Sequence, residues 1–199
     1  MKPVLFLFTR DLRLEDNSAL NAARSAGTPV IPCFLQYSLG PFARAFVDES
    51  LRELDEELAG QQSSLQVCSD FQETVELAQR CSAETVYLTF DTAPEHRQLV
   101  SRLSEICSVI EVKDRTLTDA QEAVKADGSA YQIFTPYLHR AKTSDVALPA
   151  SLAPGRWHPG TCPAEMRKLS PPGTGSSISG GRQAGLELLR SLESMRDYS

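Results

Sequence analysis

Short apolar runs alternate with longer amphipathic stretches over the first 115 residues, and this alternation sets the fold class. The runs at residues 3–8, 30–35, 65–68, 85–90 and 109–112 have strand length and are almost continuously apolar. The stretches between them, 17–26, 42–58, 71–81 and 94–106, carry apolar side chains at helical spacing. Phe46, Leu51, Leu54 and Leu58 mark the second stretch, Phe71, Val75, Leu77 and Ala78 the third, and Leu99, Leu103 and Ile106 the fourth. Gly27 and Gly60 follow two of them, and Pro94 stands where a helix tolerates proline, in its first turn. Strands apolar on both sides need helices on both faces of the sheet. Right-handed helical crossovers between parallel strands then give a doubly wound sheet. The expected fold is α/β, a Rossmann-like five-stranded parallel sheet in the order 3-2-1-4-5.

Beyond residue 115 the pattern changes. Residues 116–131 read as loop and 131–135 as a short extended piece, with Pro136 opening a short helix to residue 142. Residues 143–180 are rich in Pro, Gly and Ser, with Pro171-Pro172-Gly173 and Ser176-Ser177. Such composition reads as a linker that orders only by wrapping a partner domain. A new amphipathic helix begins at Gly181, with Leu186, Leu188, Leu189, Leu192 and Met195. Its apolar stripe has no evident partner, which creates the expectation that more protein follows. The expected organisation is an α/β domain over 1–142, a linker over 143–180, and the first helix of a further domain over 181–199.

Composition narrows the function classes. With 41% hydrophobic and 23% charged residues among 199, the chain has the mix of a globular protein. No apolar run reaches the ~20 residues of a membrane span. The apolar opening runs at once into Arg10, Asp11 and Arg13, so it reads as a buried strand and not as a leader. Five cysteines without a CxxC pair read as reduced structural thiols of a cytoplasmic protein. His96, His139 and His158 are not at ligand spacing from them, so no metal site is expected. A net charge of −6 argues against binding of DNA by this chain alone. The mildly basic stretch from Arg140 to Arg182 reads as a solvated face.

In a doubly wound sheet, ligands bind beyond the carboxyl ends of the strands, where the strand order reverses. The loops there are 9–16, 35–40 and 91–95. The first lacks the GxGxxG of a dinucleotide site, and Glu15 and Asp16 stand where a phosphate would sit, so NAD binding is rejected. Asp11, Arg13, Asp16 and Asn17 are expected to form an ion-pair and capping network, with Asp16 or Asn17 capping the first helix. Asp91 has two readings of equal weight: an acceptor for a ligand N–H, or a cap of its own turn. No Ser-His-Asp set, GxSxG or phosphate loop is present, and no catalytic residue is assigned.

Phe8-Thr9-Arg10-Asp11-Leu12-Arg13-Leu14-Glu15-Asp16-Asn17 closely resembles the opening signature of DNA photolyases and cryptochromes, an Arg-x-Asp-Leu-Arg-x-x-Asp-Asn run after an aromatic residue. Further similarities follow in order: the helix at 42–54, Ser69-Asp70 where the family has Gly-Asp, Asp91-Thr92-Ala93-Pro94-Glu95-His96-Arg97, Tyr131-Gln132-Ile133-Phe134-Thr135-Pro136-Tyr137, and Gly180-Gly181. Three departures stand out. Thr9 replaces the first family arginine, Arg44 is one place off the helix pattern, and Ala93 replaces a family glutamate.

The resemblance implies the antenna-pigment domain of a light-dependent DNA-repair lyase. It implies a pocket for 8-hydroxy-5-deazaflavin or methenyltetrahydrofolate, lined by Asp91 and the backbone of Cys33, Phe34 and Leu35, with Glu95 at the position of a folate-contacting glutamate. FAD belongs to a helical domain that these residues do not resemble, and DNA would be met only through that domain. The chain alone is therefore expected to bind no FAD and to repair no DNA. Two other readings remain open: a free-standing module that binds a nucleotide or a partner, and a fragment of a cryptochrome-type light sensor.

Overall fold

The structure is a computed structural model that describes residues 2–114, 116, 123–159, 169 and 178–192. Strands β1 (Val4–Phe8), β2 (Val30–Leu35), β3 (Gln66–Cys68), β4 (Thr85–Thr89) and β5 (Ser108–Val112) form one sheet in the order β3-β2-β1-β4-β5. Every pairing is parallel, with Val4 opposite Val30, Leu5 opposite Val86, and Thr85 opposite Ser108. The expected fold and strand order are those observed.

Alternate residues of β1 serve opposite faces, as a pleated strand requires. Val4, Phe6 and Phe8 pack with Leu20, Leu51, Leu54 and Leu58 on the side of helices α1 (Ser18–Ser25) and α2 (Pro41–Ala59). Leu5 and Leu7 pack with Leu77, Ala78 and Leu103 on the side of α3 (Phe71–Arg80) and α4 (Pro94–Ser104). The helices thus change face after β3, and the crossover from β3 to β4 passes back over the sheet. That passage leaves β1 and β4 adjacent but wound in opposite directions.

Some details depart from the expectations. Phe46 lies on the outer side of α2 and is 41% exposed, and Ile106 falls after α4 and is 46% exposed. Helical periodicity specifies a face but not how far along the helix that face stays covered. Helix α5 (Phe134–Ala141) begins two residues before Pro136, which its first turn accommodates because an N–H there has no intrahelical acceptor.

The expected linker is described over 143–159, and there it lies against the sheet domain itself. Asp16 and Ala150 exchange two hydrogen bonds, the Ala150 amide donating to Asp16 Oδ1 and the Asp16 amide to the Ala150 carbonyl. Asn21 accepts from the Ala153 amide, and Arg24 donates to the carbonyls of Ala153 and Gly155. The Val30 amide donates to the Arg156 carbonyl and the His158 amide to the Val30 carbonyl, so Trp157 extends the sheet by one parallel bridge. Residues 160–168 and 170–177 of that stretch, with Cys162, lie outside the described residues. The described cysteines are unbridged.

Helix α6 (Arg182–Leu192) is held at its N-terminus by the acidic face of α2. Gly180 donates to Glu49 Oε2, Gly181 to Ser50 Oγ, and the Gln183 amide to Glu53 Oε1, while Arg182 pairs with Glu15 at 2.6 Å. Leu188, Leu189 and Leu192 are exposed. Met195 lies outside the described residues.

Beside this clamp, burial pushes the Glu57 carboxyl above its ordinary value of 4.5, opposed by Arg182 and reinforced by Glu53 and Glu15. The folded chain then holds this proton more tightly than the unfolded chain does. The associated stability is full below pH 4.5 and is lost as pH rises through the folded-state value. Glu57→Gln removes the ionisation. Urea midpoints should therefore place the variant above wild type at neutral pH, with the gap closing on acidification below pH 4.5. A gap that widens on acidification would contradict this.

Candidate functional site

Where the segments after the paired strands β1 and β4 turn to opposite faces of the sheet, the carboxyl ends leave a crevice of about 540 Å³. Leu7, Phe8, Leu35 and Leu99 supply its apolar surface. Thr9, Arg10, Tyr37, Ser38, Asp91, Ala93, Glu95 and His96 supply the rest. Its walls are the three loops that follow β1, β2 and β4, as the winding of the sheet dictates.

The loop after β1 is held by Asp11, which is buried and accepts four hydrogen bonds. Its Oδ1 takes the Thr9 amide at 3.0 Å and the Thr9 hydroxyl at 3.4 Å. Its Oδ2 takes Asn17 Nδ2 at 3.1 Å and the Thr89 hydroxyl at 2.7 Å. One carboxylate therefore joins the end of β1, the start of α1 and the end of β4. Asn17 caps α1, accepting from the Leu20 amide at 2.9 Å. Arg13 donates to the Asp16 carbonyl and pairs with Asp114 at 3.1 Å.

The anion at the α1 N-terminus is not the one expected from the sequence. Glu15 and Asp16 do not cover those amides. Asp16 turns away at φ 51° to Ala150, and Asp114, which follows β5, accepts from the Ser18 amide and hydroxyl instead. A carboxylate from a distant strand holds the place in which a phosphate would have to bind.

Asp91 caps its own turn, and it does so at the crevice wall. It is buried at the crevice wall, its Oδ1 accepts from the Ala93 amide at 3.0 Å, and its Oδ2 lies 3.5 Å from Arg10 Nε. The Arg10 side chain is 61% exposed, so this is a loosely held cation at the crevice mouth above a fixed buried anion. Glu95, in the first turn of α4, is exposed on the same wall.

Of the three β2 residues, the crevice surface includes Leu35 but neither Cys33 nor Phe34. Cys33 packs in the α3 and α4 side of the core with its Sγ 3.6 Å from Cys68 Sγ. Phe34 packs on the opposite face, its ring 5.9 Å from that of Tyr37. The Tyr37 carbonyl accepts from Arg44, so α2 fixes the second loop.

Sequence reasoning named the 35–40 loop without singling out Tyr37 or Ser38, and it missed His96. His96 is buried, its Nε2 is 2.7 Å from Glu111 Oε1 of β5, and its ring meets Phe90 edge-on at 6.3 Å. Its spacing from Leu99 and Leu103, three and seven residues on, already placed it on the inward face of α4. Among the described residues no cluster of three or more His, Cys, Asp or Glu could hold a metal ion. No helix among them is long and apolar enough to cross a membrane.

Comparison with known proteins gives one consistent picture. A family model described as DNA photolyase matches residues 4–154. A deoxyribodipyrimidine photo-lyase of Synechococcus sp. is 28% identical over 168 residues, covering 75% of this chain and 35% of its own length. An archaeal photolyase from Sulfolobus tokodaii, whose crystal structure holds two FAD molecules with the implication of a novel light-harvesting cofactor, superposes with a TM-score of 0.74. It is 27% identical, and the match covers 94% of this chain and 46% of that one. A cryptochrome of Synechocystis sp. superposes with a TM-score of 0.77 at 19% identity, over 98% of this chain and 47% of that one, and so shows the shared fold. This chain spans about a third of the length of the curated relative and under half of each solved structure.

Proposed function

This chain belongs to the DNA photolyase family, and from that premise we propose that its crevice between β1, β2 and β4 takes a planar light-harvesting pigment. The candidates are 8-hydroxy-5-deazaflavin and methenyltetrahydrofolate. The observation that carries this reading is the pairing of an apolar surface with a fixed, buried carboxylate. Leu7, Leu35 and Leu99 offer contact to an aromatic ring system, and Asp91 offers one directed acceptor to a ring N–H. The volume of about 540 Å³ lies in the range of small-molecule sites. Ala93, in place of the bulkier family glutamate, leaves the wall beside Asp91 open and removes one polar anchor.

When bound, such a pigment would absorb light and pass the energy to a flavin. The residues described here would do the binding. Leu35 and Leu99 would exclude water from the ring faces, Asp91 would set its orientation, and Arg10 would cover the mouth. FAD, and DNA through it, would be held by a helical flavin-binding domain of the kind that the family resemblance implies. Light-dependent repair of pyrimidine dimers is proposed for that whole assembly, and no catalytic residue is assigned to this chain.

Absorbance titration of the purified chain with each pigment, against wild type and Asp91→Ala, tests the reading. Saturable binding is expected, weakened about tenfold or more in Asp91→Ala through loss of a charged acceptor. Equal affinity in both proteins would remove Asp91 from the site. No binding of either pigment would reject the proposal.

A further inference from the structure

At the opposite end of the sheet, where β2 begins, a second and polar pocket of about 450 Å³ is bounded by Arg24, Gln61, Gln62, Gly155, Arg156 and Trp157. Its central feature is a buried cation with no anionic partner among the described residues. Arg24 is 6% exposed, and its Nε and Nη2 donate to the carbonyls of Ala153 and Gly155 at 2.6 and 3.0 Å. Its Nη1 is buried with no hydrogen-bond partner, and its guanidinium carbon lies 4.5 Å above the Trp157 ring. No ion pair to Arg24 is formed among the described residues. Burial pushes its pKa down. The carbonyls and the C-terminal dipole of α1 favour a cation but supply no net negative charge. A buried charge left in that condition is costly unless something neutralises it.

The rest of the pocket is complementary to an anion. Arg156 is exposed at its edge, and no carboxylate contributes to the described lining. Trp157 Nε1 donates to Gln61 Oε1 at 2.7 Å, which turns the Gln61 amide so that its NH2 group remains available as a donor. Gln62 brings a second exposed amide from the same turn. Guanidinium groups match the oxygens of phosphate in charge and fork geometry.

We propose that this pocket is an oxyanion site for phosphate, either the free ion or the phosphate group of a small monoester. Arg24 supplies the buried positive field, Arg156 the direct contact, and the amides of Gln61 and Gln62 the neutral donors. The site is separate from the pigment crevice and stands or falls independently of it.

Trp157 is the only tryptophan of the chain, so its emission reports on this pocket alone. Inorganic phosphate and adenosine 5′-monophosphate should each change that emission saturably, at ionic strength held constant with chloride. Tighter response to the nucleotide would assign the site to phosphate monoesters, and equal or tighter response to inorganic phosphate would assign it to the free ion. Arg156→Ala, a change at an exposed position that leaves the fold intact, should weaken either response about tenfold or more. Arg24→Gln, checked for folding by circular dichroism, should abolish it. Absence of a saturable response to both probes, or an undiminished response in Arg156→Ala, would overturn the proposal.

Discussion

Replacing Asp11 with alanine is expected to cost roughly 3 kcal/mol of unfolding free energy, a large share of a domain's stability. The carboxylate is buried and accepts from the Thr9 amide, Asn17 Nδ2 and the Thr89 hydroxyl. Alanine would leave these donors facing a void, and an unsatisfied buried donor costs about 1–3 kcal/mol. Thr89→Val removes a single donor and should cost about 1 kcal/mol. Because both changes act on one network, the double variant should lose less than the two losses added. Urea denaturation of the four proteins measures this. Strict additivity, or a loss in Asp11→Ala below about 1 kcal/mol, would show that the loop after β1 does not depend on this carboxylate.

The second large effect is expected at Gly180. A Cβ there would overlap the Phe46 carbonyl oxygen and stand 2.8 Å from Ser50 Oγ. Gly181 beside it adopts φ +105°, which side-chain-bearing residues rarely reach. Gly180→Ala therefore has to part α6 from α2, breaking the bonds to Glu49, Ser50 and Glu53. Amide exchange at Gly181 and Gln183 should speed up roughly tenfold or more, with exchange in β1 and β4 unchanged. Unaltered exchange at Gly181 would mean that the glycine pair is not needed for the contact.

The sheet was legible because its signal is local. The β2 limits of residues 30 and 35 follow from an uninterrupted apolar run between Pro29 and Gln36, and α2 ends next to Gly60 as expected. The crevice was legible only as a set of loops. Winding order says which loops meet, and Asp91 could be named because it directly follows the apolar run at 85–90. His96 required knowing that Glu111 of β5 would lie beside it. Two features were hidden, the first because its partners are far apart in sequence and the second because its contacts are made by the main chain. Asp114 holds the start of α1 from 96 residues away, and residues 150–158 are fastened largely through backbone groups. Backbone hydrogen bonding leaves no trace in composition, so a docked strap and a free Pro- and Gly-rich linker read alike.

The crevice is the proposed seat of the pigment. The most direct measurement is a crystal structure of the chain saturated with 8-hydroxy-5-deazaflavin or methenyltetrahydrofolate. The predicted result is one planar ligand over Leu35 and Leu99 with a ring nitrogen within hydrogen-bond distance of Asp91. A ligand bound elsewhere, or a crevice holding only solvent at saturating pigment, would contradict it.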